Sequence, residues 1–278
     1  MADSNIARIV LDRPDSRNAQ DKALLYELND AFDRASQDDD VKVIILAAEG
    51  PDFSSGHDLR DVETPMSGFR TVGCWGGFEL PGAEGYFALE EELYMGLAWR
   101  WRNIPKPTIA EVQGRVIAGG LLLVWPCDLI VASEDASFSD PVVAFGVNGV
   151  EFFSHVWELG ARRAKHLLFT GAAMSASEAH AIGMVADVVP ADELSEATLE
   201  MARAIAAQPS IGLKLAKLSV NQSQEAQGLW SAIQSAFSLH HVGHSHNMQR
   251  FGLLGDPEGA DVIRRLSKRP VRVASSEA

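Results

Sequence analysis

Two glycine-containing turns frame the chemistry this sequence could perform. The first, Pro51-Asp52-Phe53-Ser54-Ser55-Gly56-His57-Asp58-Leu59, directly follows an apolar run. The second, Gln113-Gly114-Arg115-Val116-Ile117-Ala118-Gly119-Gly120-Leu121, is again strand-like, then glycine, then helical. A glycine turn leading from a buried strand towards a helix presents backbone N–H groups outward. Two such turns can aim two donors at one oxygen, which is the geometry that stabilises a developing oxyanion. Taken singly, either turn could equally serve only to bend the chain.

Candidate proton carriers lie further along. Glu151 sits in Val150-Glu151-Phe152-Phe153, apolar company that predicts a raised carboxyl pKa suited to acid–base work. The same residue could instead complement the positive end of a helix. Asp140 precedes Pro141, where a catalytic acid and a turn-initiating Asp are both open readings. His155 stands four residues after Glu151, and the two share a face if one helix carries both. His240, His241, His244 and His246 include an i, i+4 pair, but the His-Glu-x-x-His pattern is missing,. A solvated helix end is expected there, with no metal. Cys127 reads as inert core.

The elements that must position these groups can be read from periodicity. Ile6 to Leu11 predicts a strand, closed by Arg13-Pro14-Asp15-Ser16,. Between Lys22 and Ala35 the residues Ala23, Leu24, Leu28, Ala31, Phe32 and Ala35 form a helical stripe,. Val43 to Ala48 is continuously apolar, as in a strand covered on both faces,. Thr108 to Gly114 and Leu129 to Ala132 supply further strands, so the front of the chain predicts an α/β layer with parallel pairing. Residues 62–86 dissolve into Gly, Pro and scattered aromatics, the pattern of a functional loop. From Ser175 the pattern is helical, with segments Ser195–Ala207, Ser210–Gln222 and Gln227–His241, the last ended by the Gly/His-rich stretch 243–246. The division expected is a core of residues 1–194 and a helical region of residues 195–278.

Composition narrows the function classes. The 278 residues carry 24 Lys and Arg against 38 Asp and Glu, a net charge of −14. Such a charge repels nucleic acid and the anionic face of a membrane. The longest apolar stretch, Val116 to Cys127, is too short to span a bilayer, and two cysteines make no disulfide framework,. The N-terminus has no cationic start followed by an apolar run, so a cytoplasmic protein is expected.

These motifs, in this order, resemble the crotonase (enoyl-CoA hydratase/isomerase) superfamily over nearly the whole chain. The resemblance is carried by Leu11-Asp12-Arg13-Pro14 with Asn18-Ala19, the turn 53–59, Ile104-Pro105-Lys106-Pro107-Thr108-Ile109-Ala110 and Gly119-Gly120. It continues through Cys127-Asp128, Leu168-Phe169-Thr170-Gly171, Ala179-His180-Ala181-Ile182-Gly183-Met184-Val185 and Val188-Val189-Pro190. It implies a ClpP-like spiral of ββα units, a helical C-terminal region that makes a homotrimer or dimer of trimers, and acyl-CoA thioester substrates. No cofactor is implied beyond the coenzyme A of the substrate.

The resemblance also implies that the backbone N–H groups of His57 and Gly119 hold the thioester oxygen as it becomes an enolate. Ser16 and Arg17 would run beside the pantetheine, with Ser55, Asp58, Leu59 and Arg60 completing the CoA-facing set. Arg17 and Arg60 are the phosphate contacts chosen, with Arg13 and Lys106 also near. At the two positions where family hydratases carry glutamates, this chain has Leu122 and Val142. Neither can move a proton, and Leu122 reads as acyl-pocket lining. Glu151 or Asp140 must then serve as acid or base. The reading is an enoyl-CoA hydratase-like enzyme, with an isomerase, hydrolase or dehalogenase-like reaction, or a CoA-binding protein without catalysis, as alternatives.

Overall fold

The computed structural model describes residues 5–61 and 64–266. Eight strands are present among them: β1 (Ile6–Leu11), β2 (Val43–Ala48), β3 (Thr108–Val112), β4 (Arg115–Ile117), β5 (Leu129–Ser133), β6 (Ser137–Ser139), β7 (Met174–Ser175) and β8 (Asp187–Val189). A five-stranded parallel sheet runs β1-β2-β3-β5-β8, and a smaller sheet runs β4-β6-β7. Successive turns of chain give one strand to each sheet, β3 then β4 and β5 then β6. This is the spiral, and it brings the ends of the large-sheet strands against the small sheet.

The apolar run of β2 pays for its place on both faces. Ile44 and Leu46 enter the main core beside Leu24, Phe32 and Val116. Val43, Ile45 and Ala47 face a second cluster that contains Leu194 and Ala202. Each fully buried aliphatic side chain of this kind contributes roughly 1.5–3 kcal/mol of transfer free energy. The covering residues of the second face lie on the helix Leu194–Ala206, so the first helix beyond the expected core packs directly on the sheet.

The helices follow the predicted stripes with two departures. Lys22–Gln37 starts at Asp21, whose carboxylate accepts the Leu24 N–H at 2.8 Å,. The later helices are Ser210–Ala226 and Leu229–Phe251. The last therefore continues ten residues past the expected end at His241. Gly243 does not break it. A Cβ there would stand 2.5 Å from the Gly146 carbonyl oxygen, so glycine lets the helix lie against the 146–147 loop. The second departure is in the loop 62–86, where a helix already begins at Ala83 and runs to Glu90. It passes into a π-helical turn, Glu91–Gly96, a geometry often found at functional sites,.

Candidate active site

The two glycine turns meet. Ser54 bridges Val116, and the Ile117 N–H donates to the Ser54 carbonyl at 3.0 Å. Gly56, with φ +91°, lets the first turn touch the second: a Cβ there would lie 2.8 Å from the Ile117 carbonyl oxygen and 3.2 Å from the Gly119 nitrogen,. His57 bridges Gln20, but the bonds of that bridge run from Gln20 N–H to the Gly56 carbonyl and from Asp58 N–H to the Gln20 carbonyl. The His57 N–H takes no part in them. Gly119 lies in the short helical turn Ala118–Gly120, whose first N–H groups have no partner within the turn,. Its peptide is oriented by Gln20, which is buried and donates from Nε2 to the Gly119 carbonyl at 2.7 Å.

The His57 side chain, which the sequence left without a task, forms the centre of the site. Its ring lies over Gly119, stacks on Tyr94 with centroids 3.8 Å apart, and places Nε2 3.4 Å from Glu151 Oε2. Glu151 is 4% exposed, and its other oxygen stands 3.7 Å from His240 Nε2. Burial pushes the Glu151 carboxyl up, but His57 and His240 outweigh it and hold the group below its ordinary value,. The raised pKa expected from its apolar neighbours is therefore overturned by two histidines from distant segments. Burial, with Glu151 and Glu90 nearby, raises the Tyr94 phenol well above its usual range, so it stays a neutral donor.

Other sequence expectations are redistributed. The helix expected to carry Glu151 begins only at His155, so Glu151 neither caps it nor shares its face with His155. His155 Nε2 bonds Asp140 at 2.8 Å instead. Asp140 is fully buried and also accepts the N–H groups of Val150, at 2.9 Å, and Val142, at 3.3 Å. Its carboxylate thus holds the loop that carries Val150 and Glu151. Leu122 is 2% exposed within the core and Val142 is half-buried against it.

Several of the residues expected to face CoA are linked to one another or to the first glycine turn. Ser16 ends the short helical turn Pro14–Ser16, and Arg17 and Asn18 follow in the left-handed conformation; the segment is pinned to the first glycine turn by the Ser55 N–H, which donates to the Arg17 carbonyl at 3.0 Å. Arg60 is largely exposed and bonds Asp58 at 2.9 and 3.0 Å; Arg60 leads the interactions that hold the Asp58 carboxyl down to about 2. Arg17 stands 3.7 Å from Asp52, and Leu59 is 71% exposed. Lys106 leaves this set. It is buried, with Nζ donating to the Ala35 carbonyl at 2.9 Å at the end of the Lys22–Gln37 helix,.

The loop after residue 64 is tied to the fold by one acidic side chain and by its aromatics. Glu92, buried in the π-helical turn, accepts the N–H groups of Val72 and Gly73 at 2.8 and 2.9 Å and the Tyr26 hydroxyl at 3.0 Å. Phe69 stacks on Tyr26 at 5.2 Å, and Trp75 leans on Phe87 at 5.3 Å. The loop aromatics are thus bound into the fold.

Comparison with known proteins agrees with this geometry. The sequence pattern described as enoyl-CoA hydratase/isomerase matches residues 1–78 and 84–256. The chain belongs to the enoyl-CoA hydratase/isomerase family. A Mycobacterium tuberculosis protein with the provisional name enoyl-CoA hydratase EchA13 is 46% identical over 250 residues, 88% of this chain and 79% of the relative. A crystal structure titled as a probable enoyl-CoA hydratase of Mycobacterium thermoresistibile superposes with a TM-score of 0.84 at 47% identity, covering 91% of this chain and 96% of the other. A family member of different chemistry, 4-chlorobenzoyl coenzyme A dehalogenase-2 of Arthrobacter sp, is 30% identical over 259 residues, 91% of this chain and 88% of the relative.

Proposed function

We propose that this chain is an acyl-CoA enzyme of the enoyl-CoA hydratase type in which Glu151 is the single acid–base group. The observation that carries the reading is the buried Glu151 carboxylate, 3.4 Å from a His57 ring that itself lies over Gly119. The N–H groups of His57 and Gly119 hold the thioester oxygen, each such donor being worth about 2.7–4 kcal/mol in the transition state. Glu151 takes a proton from water as the hydroxyl adds to Cβ, and delivers that proton to Cα as the enolate collapses. His57 and His240 are positioning residues that keep the carboxylate ionised and aimed. Coenzyme A enters only as part of the substrate, along the Ser16–Arg17 turn, with Arg17 and Arg60 towards its phosphates. Ionic partners at Asp52 and Asp58 hold those two arginines ready. The reading includes a cytoplasmic location and a homotrimer or dimer of trimers. No helix among the described residues is long and apolar enough to cross a membrane.

One observation favours a second reading. If Leu122 and Val142 stand at the two glutamate positions, as the family resemblance implies, a single carboxylate is left, and one base suffices for proton transfer between carbons or for displacement chemistry. Formation of 3-hydroxybutyryl-CoA as the enone absorbance of crotonyl-CoA is lost separates the two, since only hydration gives that product. In the active reaction Glu151→Gln should lower kcat by roughly 10²–10⁴, with little change in thioester affinity. Full activity of Glu151→Gln would end the assignment. Binding of acyl-CoA esters without turnover of a panel of enoyl, β,γ-enoyl and chlorobenzoyl esters would favour a protein without catalysis.

A further inference from the structure

Next to Glu151 lies a second cluster, which shares only His240 with the proposed reaction. Glu90 ends the helix Ala83–Glu90, and three histidines of the helix Leu229–Phe251 converge on it. His244 Nε2 is 3.1 Å from Glu90 Oε1, while His241 Nε2 and His240 Nε2 are 3.2 and 3.7 Å from Oε2. Glu90, His240 and His241 are each under 9% exposed, which corrects the solvated helix end expected of this stretch.

The second ring nitrogens decide what this cluster offers. His240 Nδ1 bonds the Gly149 carbonyl at 2.8 Å, and His244 Nδ1 bonds the Leu254 carbonyl at 2.8 Å. A carbonyl only accepts, so both Nδ1 atoms carry hydrogen and both Nε2 atoms turn towards Glu90,. Glu90 is also an acceptor. Glu90 Oε2, His241 Nε2 and His244 Nε2 make no hydrogen bond of acceptable geometry despite their proximity. Polar atoms converging on a carboxylate in a buried space favour a positive charge among them, carried either by a protonated ring or by a metal ion. A backbone carbonyl on the second nitrogen is the usual support for a metal-bound histidine.

We infer that Glu90, His240 and His244 form a binding site for a divalent transition-metal ion of the zinc class. One ligand atom from each lies within 4.8 Å of the others. A tetrahedral ion with bonds near 2.0–2.1 Å separates its ligand atoms by roughly 3.4 Å, a spacing near the 3.1 Å from His244 Nε2 to Glu90 Oε1 and the 3.7 Å from His240 Nε2 to Glu90 Oε2. Two imidazoles and one carboxylate suit zinc and its neighbours and disfavour magnesium or calcium. Glu151 Oε1 lies 3.7 Å from His240 Nε2, on the border of this cluster. The inference does not depend on the reaction proposed above. The competing occupant is a proton on His244, an ion pair with Glu90, and the experiment separates the two.

Protein stripped with chelator would be titrated with Zn²⁺ by calorimetry and with Co²⁺ by visible absorption. One ion per chain is expected, with ligand-field bands of a nitrogen-containing site and a higher Tm. His244→Asn and Glu90→Gln should weaken zinc binding by about 100-fold or more, while exposed His246→Asn should not. Should the ligand variants fail to fold, the Co²⁺ spectrum of the unaltered chain still decides. No ion bound at micromolar free metal, or binding unchanged in folded His244→Asn, would overturn the metal site in favour of the ion pair.

Discussion

Gly119→Ala tests how the two glycine turns and His57 work together. A Cβ at position 119 would stand 2.6 Å from Cε1, 2.7 Å from Nδ1 and 3.0 Å from Nε2 of His57. Carbon atoms pack at about 3.5–4.0 Å, so the imidazole must retreat by about 1 Å. Any retreat disturbs its stack on Tyr94 or its 3.4 Å approach to Glu151. The alanine keeps the backbone N–H, so the oxyanion donor survives while the base loses its aim. A misplacement of this size costs roughly 100-fold in rate, or about 2.7 kcal/mol of transition-state stabilisation. Gly119→Pro removes the donor as well and should abolish turnover. The assay is kcat and KM on the acyl-CoA ester the enzyme turns over, for Gly119→Ala, His57→Ala and the double variant. If the loss passes through His57, the double variant is no slower than His57→Ala alone, because no ring remains to be displaced. Wild-type rates in Gly119→Ala, or full additivity of the two effects, would refute the reasoning.

Two further outcomes follow from the surface and from a buried acid. Glu158 lines a cavity of about 140 Å³ with Arg102, Trp125 and Asp128, and burial pushes its carboxyl up to about 7 from an ordinary 4.5. The folded chain therefore holds a proton there that the unfolded chain releases, and stability falls as pH rises from about 4.5 to 7. Glu158→Gln should remove this slope and stabilise the protein at pH 8 by about 2–3 kcal/mol, the lower end reflecting solvent at its half-buried side chain; parallel Tm–pH curves for variant and parent would sink the assignment. The helix Ser210–Ala226 buries none of its residues, and Ile211, Leu215 and Leu218 stand 65, 55 and 52% exposed along one stripe. Sedimentation should give three or six times the 30.1 kDa chain mass, with smaller species for Leu215→Glu; a stable monomer at micromolar concentration would count against the assembly.

How far the sequence could be read depended on the range of the interactions. β2 was legible because its apolar residues are buried by both flanking layers, and the Lys22–Gln37 helix because its stripe faces one core. The two glycine turns were legible as turns for the same local reason, and the structure brings them together. What escaped reading was contact between distant segments. Glu151 looked like a carboxyl raised by Val150 and Phe152, but histidines about a hundred residues away on either side set its charge. Gly243 looked like a breaker, and only the approach of residues 146–147 gives it its purpose. Lys106 looked like a surface cation, yet it closes a helix end. Nothing near Glu90 distinguishes it from Glu91, and its partners lie some 150 residues downstream.

The π-helical turn Glu91–Gly96 acts as a gear for the region around it. Glu90 enters it facing the histidines, Glu92 inside it holds the loop at Val72 and Gly73, and Tyr94 leaves it under His57. Each helical residue advances the chain by about 100° around its axis. Removing one residue would let the turn relax to ordinary helix, but would swing everything before it by about that angle relative to Tyr94. Loop clasp, histidine cluster and ring stack could then no longer all be engaged at once. In redesign, the aromatic loop is therefore an exchangeable cassette only if its replacement docks on this turn in the same phase.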